Sequence, residues 1–364
     1  MSRSTLSVIL PNYNHAKYLE QSLGSILSQS RRPDRVLVID DQSTDNSLEV
    51  ISRFTNDPIV ELIRNPKNLG SVVTVNSGLD RVDSDYVIVL AADDSLLPGF
   101  IEKTMSLLER HPEAALGCSH PAYMDEHGKL DLHEDWPKYS TEPVYIPPGE
   151  AVGALGPKSL WIAGHTCIFK REVLNQVGRF LPELRWHSDW FACHVMAFRH
   201  GICYQPEPLA AFRTLSTSYS ASAMDDIPAR SQVFFAMAEL LKSERFADVK
   251  DAFLKSKAFD LYPEFKDGVF AELEPWRRVM ASRSHELEVR TRTRQLEENK
   301  IFTTHLESEI SKTQIALQRE TEKRLELQKS LEELRAETKW LRDLKAILLT
   351  FRPLWGRVKR LLLR

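Results

Sequence analysis

The chain has 364 residues, of which 42% are hydrophobic and 27% are charged, and its formal net charge at pH 7 is -3. This length allows about two domains, the charge excludes nucleic-acid binding that relies on overall basicity, and no apolar stretch reaches the roughly 18–20 residues of a membrane span. The apolar run before Pro11 is too short for a signal peptide and the four cysteines lack metal-ligand or disulfide spacing, so we expect a cytoplasmic protein.

Short apolar runs alternate with segments of helical periodicity through the first 110 residues. The expected strands span residues 6–10, 36–39, 59–63 and 86–90. The expected helices span residues 15–29, 45–54, 71–82 and 100–110. This alternation predicts βαβ units that build an open, mostly parallel α/β sheet with helices on both faces. Ligands bind beyond the carboxyl ends of the strands in such sheets, so the informative residues should follow Leu10, Ile39 and Leu90.

The first predicted strand leads into Pro11-Asn12-Tyr13-Asn14. A tyrosine ring at this edge can stack on a nucleotide base, and Asn14 is a good N-cap for the next helix. A turn followed by a helix cap, without any ligand, explains this cluster equally well. The cluster by itself therefore leaves both interpretations open.

Two adjacent acids, Asp40 and Asp41, follow the second predicted strand. Ser43 or Thr44 suffices to cap the next helix. Because neighbouring carboxylates repel each other, capping leaves the acidic pair unexplained. A carboxylate at this position can accept the imino N–H of a uracil or thymine ring, a donor that cytosine lacks. The pair therefore predicts a contact with a nucleotide base.

A second acidic pair, Asp93 and Asp94, follows the apolar strand that ends near Leu90. Two carboxylates in a short loop are suited to a hard divalent cation that also binds diphosphate oxygens. The competing interpretation is a cap for the helix that begins near Gly99, and a cap accounts for only one of the two acids. The pair therefore favours a metal site.

These clusters belong to a longer series of matching segments, at residues 7–14, 25–29, 38–45, 68–70, 76–78, 92–94, 169–173 and 177–180. Together they resemble the family 2 glycosyltransferases, which have the GT-A nucleotide-sugar fold. The resemblance covers about residues 5–215, and several motifs in one order are more specific than any single motif. It implies a GT-A-type catalytic domain.

The resemblance also implies a role for individual residues. The nucleotide-sugar contacts that it implies are Pro11, Tyr13, Asp41, Asn68 and Asp93. Tyr13 would stack on the base and Asp41 would bind it, while Asp93 would contact the ribose or the metal shell. Asp94 would ligate the cofactor, Mn²⁺ or Mg²⁺.

Asp189 matches the position of the family's acidic general base. In that role it would accept the proton of the acceptor hydroxyl as this attacks the sugar carbon with inversion. Two departures from the family accompany it: Ser188 replaces the usual Glu, and Val75 stands where many relatives carry Arg. The second departure leaves the donor phosphate contacts open. A cap for the following helix is the competing interpretation of Asp189.

Residues 119–161 form a long irregular region that contains aromatic side chains, among them Trp136 and Tyr139. Aromatic faces pack against the apolar faces of pyranose rings, so this composition suits sugar recognition. An ordinary surface loop would have the same composition. The sequence therefore does not identify the acceptor.

The C-terminal part has a different composition, because residues 276–352 contain neither glycine nor proline. A heptad repeat runs from Leu296 to Leu348 and favours a coiled coil that joins copies of the chain. A solitary helix with internal ion pairs is the competing interpretation. Residues 344–364 carry six basic residues and no acidic one, which predicts an interfacial segment at an anionic membrane surface. Packing of its leucines against protein is the other interpretation.

The expected organisation is a GT-A-like catalytic domain at 1–220, a helical extension at 221–282, a coiled coil at 283–348 and a basic amphipathic tail at 349–364. The function implied is inverting, metal-dependent sugar transfer from a UDP- or dTDP-sugar to a hydroxyl of a glycan or lipid-linked acceptor, in surface polysaccharide synthesis. The expected location is cytoplasmic, extending to the inner face of the cytoplasmic membrane.

Two other functions are open. A sugar-phosphate nucleotidyltransferase would also use paired acids and a metal, but its Gly-rich basic phosphate loop is missing, since residues 11–14 occupy that place. A catalytically inactive scaffold would act through the coiled coil alone. The intact acids Asp41, Asp93, Asp94 and Asp189 argue against the scaffold.

Overall fold

The structure is a computed structural model that describes residues 3–132, 136–156, 160–215 and 227–261, with short helical stretches between 318 and 346. Its contacts divide the chain into two compact units, Met1–His285 and Glu286–Arg364. The first unit contains every strand in the described part of the chain.

The first unit alternates strands and helices along the chain. Its strands are β1 Leu6–Asn12, β2 Arg35–Asp40, β3 Val60–Arg64, β4 Tyr86–Val89, β5 Ser95–Leu96, β6 Leu116–Met124, β7 Leu130–Asp131, β8 Val144–Ile146, β9 Cys167–Lys170 and β10 Ile202–Arg213. Its helices are α1 Ala16–Leu27, α2 Ser47–Ser52, α3 Ser71–Leu79, α4 Phe100–Arg110, α5 Pro148–Ala154, α6 Arg171–Gln176, α7 Ser188–His200, α8 Ile227–Lys242 and α9 Ala247–Lys255. All eight elements expected before residue 111 are present, so the alternation predicted from periodicity is confirmed.

One sheet organises the described part of the first unit, in the order β3-β2-β1-β4-β9-β6-β10-β5. The strands β3, β2, β1 and β4 pair in parallel, and β10 pairs in parallel with β6. Only β9 interrupts this series, because it lies antiparallel between β4 and β6. The α/β fold class predicted from the sequence is confirmed, with six of the main strands running in one direction and β9 reversed.

The reversal of β9 determines which residues reach the carboxyl edge of the sheet. Ile88 pairs with Ile168 and Tyr86 pairs with Lys170, so the chain enters β9 beside the carboxyl end of β4. The 3-10 helix Gly164–Thr166, which directly precedes β9, therefore lies at the edge where the parallel strands end.

Apolar side chains cover both faces of the sheet. Val8 and Leu10 face a layer that contains residues of α1 and α4, while Ile9 faces the layer of α3 and α7. All three side chains are fully buried, as expected for central strands of a sheet covered on both sides.

The helices α8 and α9 extend the second of these layers with aromatic side chains. The ring of Phe253 stacks on Phe191 of α7 with 5.4 Å between centroids, and Phe259 lies 5.5 Å from Trp190. Phe234 and Phe246 are buried in the same cluster. Aromatic side chains of α8, α9 and the residues after α9 therefore pack against α7. The predicted boundary near residue 220 falls in 216–226, outside the described residues.

The described stretches of the second unit, within residues 318–346, are helical and exposed. Two leucines at predicted heptad core positions, Leu327 and Leu334, are 70% and 60% exposed. The rest of the predicted coiled coil and the whole of the predicted tail, residues 349–364, lie outside the described residues. Among the helices that are described, none is long and apolar enough to cross a membrane.

Candidate active site

The carboxyl ends of β1 and β2 are tied together by side chains. Asn12 and Asp40 are register partners on the two parallel strands, and Asn12 Nδ2 donates to Asp40 Oδ2 at 3.1 Å and to Ser43 Oγ at 3.0 Å. Asp40 Oδ1 accepts the N–H of Ser43 at 2.9 Å. Because Asp40 is fully buried in these contacts, it fixes the loop that follows β2.

The helix caps at this edge differ from those predicted. Asn14, at φ 57°, turns its Oδ1 towards the N–H of Thr44 at 2.8 Å, and Asp45 Oδ2 instead accepts the N–H of Ala16 in the first turn of α1 at 3.0 Å. Asp45 Oδ1 accepts the N–H of Ser47 at the start of α2. The predicted caps from Asn14 and from Ser43 or Thr44 are therefore wrong. The reason is that the loops after β1 and β2 lie side by side. Asn14 of the first loop accepts the N–H of Thr44 in the second, and Asp45 of the second loop accepts the N–H of Ala16 that follows the first.

Asp41 is almost fully buried and holds the loop between β3 and α3. Its Oδ1 accepts hydrogen bonds from Asn65 Nδ2 at 2.8 Å and from the N–H of Leu69 at 2.9 Å, and its Oδ2 accepts the N–H of Gly70 at 2.8 Å. Asn68 is exposed in this loop, and its Oδ1 also accepts the N–H of Gly70. A carboxylate has about four lone-pair positions, so one remains for a ligand.

Tyr13 and Pro11 lie beside this loop system at the end of β1. The Tyr13 ring is 45% exposed, which leaves it accessible to a flat ligand. Pro11 is partly buried within β1 and pairs with Ile39. The base-binding roles of Pro11, Tyr13, Asp41 and Asn68 stay predictions, and the structure places all four at neighbouring strand ends.

Asp93 and Asp94 lie in the loop after β4, beside the end of β1. Asp94 Oδ1 accepts the main-chain N–H of Arg213 at 2.9 Å. Burial, and secondly the negative charge of Asp93, raise the pKa of Asp94 well above its ordinary value. The helix α4 begins after Gly99 without a side-chain cap. The capping interpretation of this acidic pair is therefore wrong.

His15 connects the loop after β1 with this acidic pair. Its Nδ1 lies 3.9 Å from Asp93 Oδ2, a distance that suits electrostatic attraction when the imidazole is protonated but exceeds a hydrogen bond. Sequence reasoning missed His15, although its position directly after the Asn12-Tyr13-Asn14 cluster was the available signal.

Arg213, at the end of β10, was also missed by sequence reasoning. Its guanidinium is 1% exposed and donates through Nε to the carbonyl of Asp93 at 2.9 Å and through Nη1 to the carbonyl of Asp125 at 2.8 Å. Nη2 donates to Gln21 of α1, and the guanidinium carbon lies 4.5 Å from the centre of the Tyr18 ring. One buried cation therefore joins three segments around the acidic pair.

Asp189 lies in the first turn of α7, where its Oδ1 accepts the N–H of Trp190 at 2.7 Å. Its other oxygen, Oδ2, faces Gly164 so closely that a methyl group at residue 164 would collide with it. Burial raises the pKa of Asp189, and hydrogen bonds from the backbone oppose this shift only in part. The residue therefore contributes to the helix start and also presents a carboxylate beside the segment that enters β9.

The acidic pair has the oxygen ligands that a hard divalent cation prefers. Asp93 and Asp94 supply hard carboxylate oxygens. The pKa of Asp94 is raised first by burial and then by the charge of Asp93, and a cation at this pair would offset the second of these effects. Among the described residues, no group of three or more His, Cys, Asp or Glu side chains is arranged to hold a metal ion.

Comparison with known proteins identifies relatives along the same part of the chain. The family model described as Glycosyl transferase family 2 matches residues 7–178. TuaG of Bacillus subtilis, a glycosyltransferase named for teichuronic acid biosynthesis, is 30% identical over 222 residues, which are 60% of this chain and 82% of TuaG. The amylovoran biosynthesis glycosyltransferase AmsE of Erwinia amylovora is 34% identical over 129 residues, which are 35% of this chain and 48% of AmsE. The chain spans half or less of the first three curated relatives, 33% to 48% of their length.

Solved structures share the fold. TarS 1–349 of S. aureus, in complex with UDP-GlcNAc, superposes with a TM-score of 0.54 at 16% identity, over 78% of this chain and 83% of that chain. The mannosyltransferase PcManGT from Pyrobaculum calidifontis, in complex with GDP-Man and Mn²⁺, gives a TM-score of 0.51 at 17% identity, over 78% and 81% of the two chains. At these identities the likeness concerns the fold alone, and it confirms the predicted GT-A-type architecture. With TuaG matched over most of its length and the family model matched across β1 to α6, the chain belongs to glycosyl transferase family 2.

Proposed function

We propose that this protein transfers a sugar from a nucleotide-sugar donor to a hydroxyl group of a glycan or lipid-linked acceptor in surface polysaccharide synthesis. The observation that carries the proposal is the gathering of Asp41, the Asp93-Asp94 pair and Asp189 around the carboxyl ends of β1, β2 and β4. Relatives named for teichuronic acid and amylovoran biosynthesis support the assignment to polysaccharide synthesis.

The donor is a UDP- or dTDP-sugar. Tyr13 offers an exposed ring on which the base stacks, and the free lone pair of Asp41 accepts the imino N–H of uracil or thymine. A neighbour in fold, TarS, was solved with UDP-GlcNAc, which supports a uridine nucleotide.

A divalent ion, Mn²⁺ or Mg²⁺, would be held by Asp94 with Asp93 beside it. The ion, when bound, neutralises the negative charge that develops on the leaving diphosphate. A second neighbour in fold, PcManGT, was solved with GDP-Man and Mn²⁺, which supports this cofactor. Arg213 keeps the two acids in place, since it binds the carbonyl of Asp93 and its main-chain N–H binds Asp94.

Asp189 is the general base of the proposed reaction. The acceptor oxygen attacks the anomeric carbon, the bond from that carbon to the diphosphate oxygen breaks, and the acceptor proton passes to the Asp189 carboxylate. Attack from the face opposite the leaving group inverts the anomeric centre. The pKa of Asp189 is raised by burial, and a raised pKa makes a carboxylate a stronger base for this proton.

The proposal is tested by a thermal-shift panel of UDP, dTDP, GDP and their sugars, each with and without Mn²⁺, because a ligand that binds only the folded state raises its apparent stability. We expect a uridine or thymidine diphosphate to raise Tm, and Mn²⁺ to increase that shift. A response to none of these nucleotides would support the inactive scaffold. A further arm of the panel contains UTP or dTTP with a sugar 1-phosphate, and stabilisation by this pair in place of the diphosphates would support the nucleotidyltransferase.

Assembly through the C-terminal coiled coil is part of the same proposal. The exposed Leu327 and Leu334 lie seven residues apart on described helical stretches, and a second copy of the helix would cover them. Truncation near Arg283 should leave a folded catalytic unit that contains fewer copies of the chain per assembly, as measured by sedimentation. An unchanged assembly after truncation would place the interface in the first unit.

The tail, residues 349–364, extends the proposal to a peripheral location at the inner face of the membrane. Its support is the sequence alone, with basic and apolar residues interspersed. The full-length protein should sediment with anionic liposomes, high salt should weaken this binding, and deletion of 347–364 should abolish it. Equal sedimentation of the deleted form would leave the tail as a protein-packing element.

A further inference from the structure

Four aromatic side chains form a continuous row on one face of the sheet. Tyr123 on β6 and Phe212 on β10 are register partners, with 6.2 Å between their ring centroids. Trp136 lies 5.7 Å from Tyr123 at one end, and His165 lies 5.7 Å from Phe212 at the other. These four residues are referred to below as the aromatic row.

The aromatic row includes residues on the solvent-accessible face of β6 and β10. The neighbours of Phe212 along β10, Ala211 and Arg213, are buried, whereas Phe212 is partly exposed. The same alternation holds on β6, where Tyr123 is partly exposed between two buried residues. Since successive side chains of a strand point to opposite faces, the face opposite Arg213 presents rings to solvent.

The exposed end of the row is Trp136, whose side chain is 39% exposed. Among the Phe, Tyr and Trp residues in the described part of the chain, only Trp136 and Tyr13 are exposed. Tyr13 lies at the end of β1, where the proposed donor base binds. Trp136 therefore has no part in the donor site as described above, although its exposure costs hydrophobic free energy.

The other end of the row adjoins the segment that contacts the proposed general base. His165 directly follows Gly164, and Gly164 lies against Asp189 Oδ2. The row thus leads from the residue next to Gly164, which faces the carboxylate that takes the acceptor's proton, to an exposed indole ring. Burial lowers the pKa of His165 to about 4, so its ring is neutral at physiological pH and the row carries no positive charge for a phosphate.

On this basis we propose that the aromatic row is the platform for the acceptor's pyranose rings, with Trp136 stacking on a sugar unit beyond the one that reacts. The proposal rests on the proposed function, since it names the substrate class that occupies the Asp189 side of the same site. The acceptor hydroxyl must come within hydrogen-bond reach of Asp189. The group next to that carboxylate is therefore the sugar that bears the hydroxyl, and the row receives its neighbours.

A pyranose ring fits against an aromatic side chain because one face of the sugar is apolar. A pyranose buries its C–H face on an aromatic ring and keeps its hydroxyl groups at the edge, where water or polar groups bond to them. A row of several rings offers successive contacts to a chain of sugars. An extended polysaccharide acceptor would therefore bind better than a single sugar.

The test compares Trp136→Ala with Trp136→Phe and with a matched control, Leu130→Ala. Leu130 is 44% exposed on β7, which pairs with β6, and it lies outside the row. The probes are octyl β-pyranosides of the disaccharides maltose, cellobiose, lactose and chitobiose, whose inner sugar can lie on Trp136 while the outer sugar reacts. They are added with UDP and Mn²⁺ in the protection experiment, and with a UDP-sugar and Mn²⁺ in the KM measurement. Protection of Trp136 from oxidation by N-bromosuccinimide, mapped by mass spectrometry, reports on binding, and the acceptor KM reports on its effect.

We expect at least one pyranoside to protect Trp136 and to serve as an acceptor. Trp136→Ala should raise its KM on the order of tenfold, the scale of one aromatic contact, while Trp136→Phe retains most of the affinity and Leu130→Ala changes nothing. The UDP-induced thermal shift should persist in all three variants. Lack of protection by every pyranoside, or an unchanged KM in Trp136→Ala, overturns the platform. A protein without any nucleotide-induced shift overturns the proposed function instead.

Discussion

The main-chain N–H of Arg213 donates a 2.9 Å hydrogen bond to Asp94 Oδ1, although 119 residues separate the two in the chain. The Arg213 guanidinium binds the carbonyl of the adjacent Asp93 at 2.9 Å. The last residue of β10 therefore positions the acidic pair that follows β4. The position of the proposed metal ligands depends on the pairing of β10 in the sheet.

Arg213→Met should destabilise the protein by about 3 kcal/mol, because it leaves two carbonyl groups and the Gln21 side chain without their buried donor. It should also weaken the effect of Mn²⁺ on nucleotide binding. Urea denaturation and Mn²⁺ titration measure the two effects. Arg53→Met is the control, since Arg53 pairs with Glu49 on the surface and should change stability by about 0.5 kcal/mol or less. Equal effects of both substitutions would contradict the role given to Arg213.

Asp94→Asn should keep the fold, because an amide oxygen still accepts the N–H of Arg213. The metal response should be lost, since a neutral amide is a poorer ligand for a hard cation. The folded-state pKa of Asp94 is raised, so its ionised form costs stability near neutral pH, and the variant without metal should melt above the wild type. Calorimetry with and without Mn²⁺ measures both effects, with Asp83→Asn, an exposed acid, as control. A wild-type Mn²⁺ titration in Asp94→Asn would refute the metal site.

Gly164→Ala should push the Asp189 carboxylate out of position, because the new methyl group collides with Oδ2. A misplacement of about 1 Å at a reacting group costs on the order of 10²-fold in turnover, while the nucleotide-induced thermal shift should persist. Gly153→Ala is the matched control: no atom lies within 4 Å of the new methyl group. In the exposed turn of α5 it should stabilise the protein by about 0.5–1 kcal/mol. Full turnover in Gly164→Ala would show that the reaction does not depend on the position of the Asp189 carboxylate.

Asp189→Asn should lower turnover by a factor on the order of 10²–10⁴, the usual range for loss of a general base, with nucleotide binding nearly unchanged. Its folded-state pKa is raised, so the ionised carboxylate costs stability above that pKa and the cost disappears as pH falls below the ordinary value of 3.8. Thermal melts should therefore show Asp189→Asn above the wild type at pH 7, with the difference shrinking towards pH 4. Loss of nucleotide affinity instead would make Asp189 a binding residue.

Asp41→Asn should destabilise the protein by about 1–3 kcal/mol. Asp41 accepts hydrogen bonds from three N–H donors, and the amide nitrogen of the new asparagine would face one of them. Denaturant unfolding measures this loss. The control is Asp80→Asn, an exposed acid that pairs with Arg179 at the surface and should have little effect. If both variants unfolded at the same denaturant concentration, Asp41 would have no part in holding the loop at residues 65–70.

The sequence alone predicted eight of the nine elements before residue 111, all but the two-residue strand β5, and the polar clusters at their ends. These features are local: the period of apolar residues distinguishes strand from helix, and the acids that follow β2 and β4 are adjacent in the chain. The sheet then brings them to one edge because β1 pairs in parallel with both strands. Recognition of the family likewise needed only short motifs in order.

The partners of those clusters were decided by the tertiary structure. Asp45 rather than Asn14 caps α1, Asp41 binds the loop before α3, and Gly164 faces Asp189. Each contact joins residues that lie far apart in sequence, so no local pattern specifies it. The aromatic row depends on the register of Tyr123 with Phe212, and a shift of one residue would turn these rings to the other face. The sequence therefore determined which side chains reach the site, while strand register and the reversal of β9 decided which of them meet.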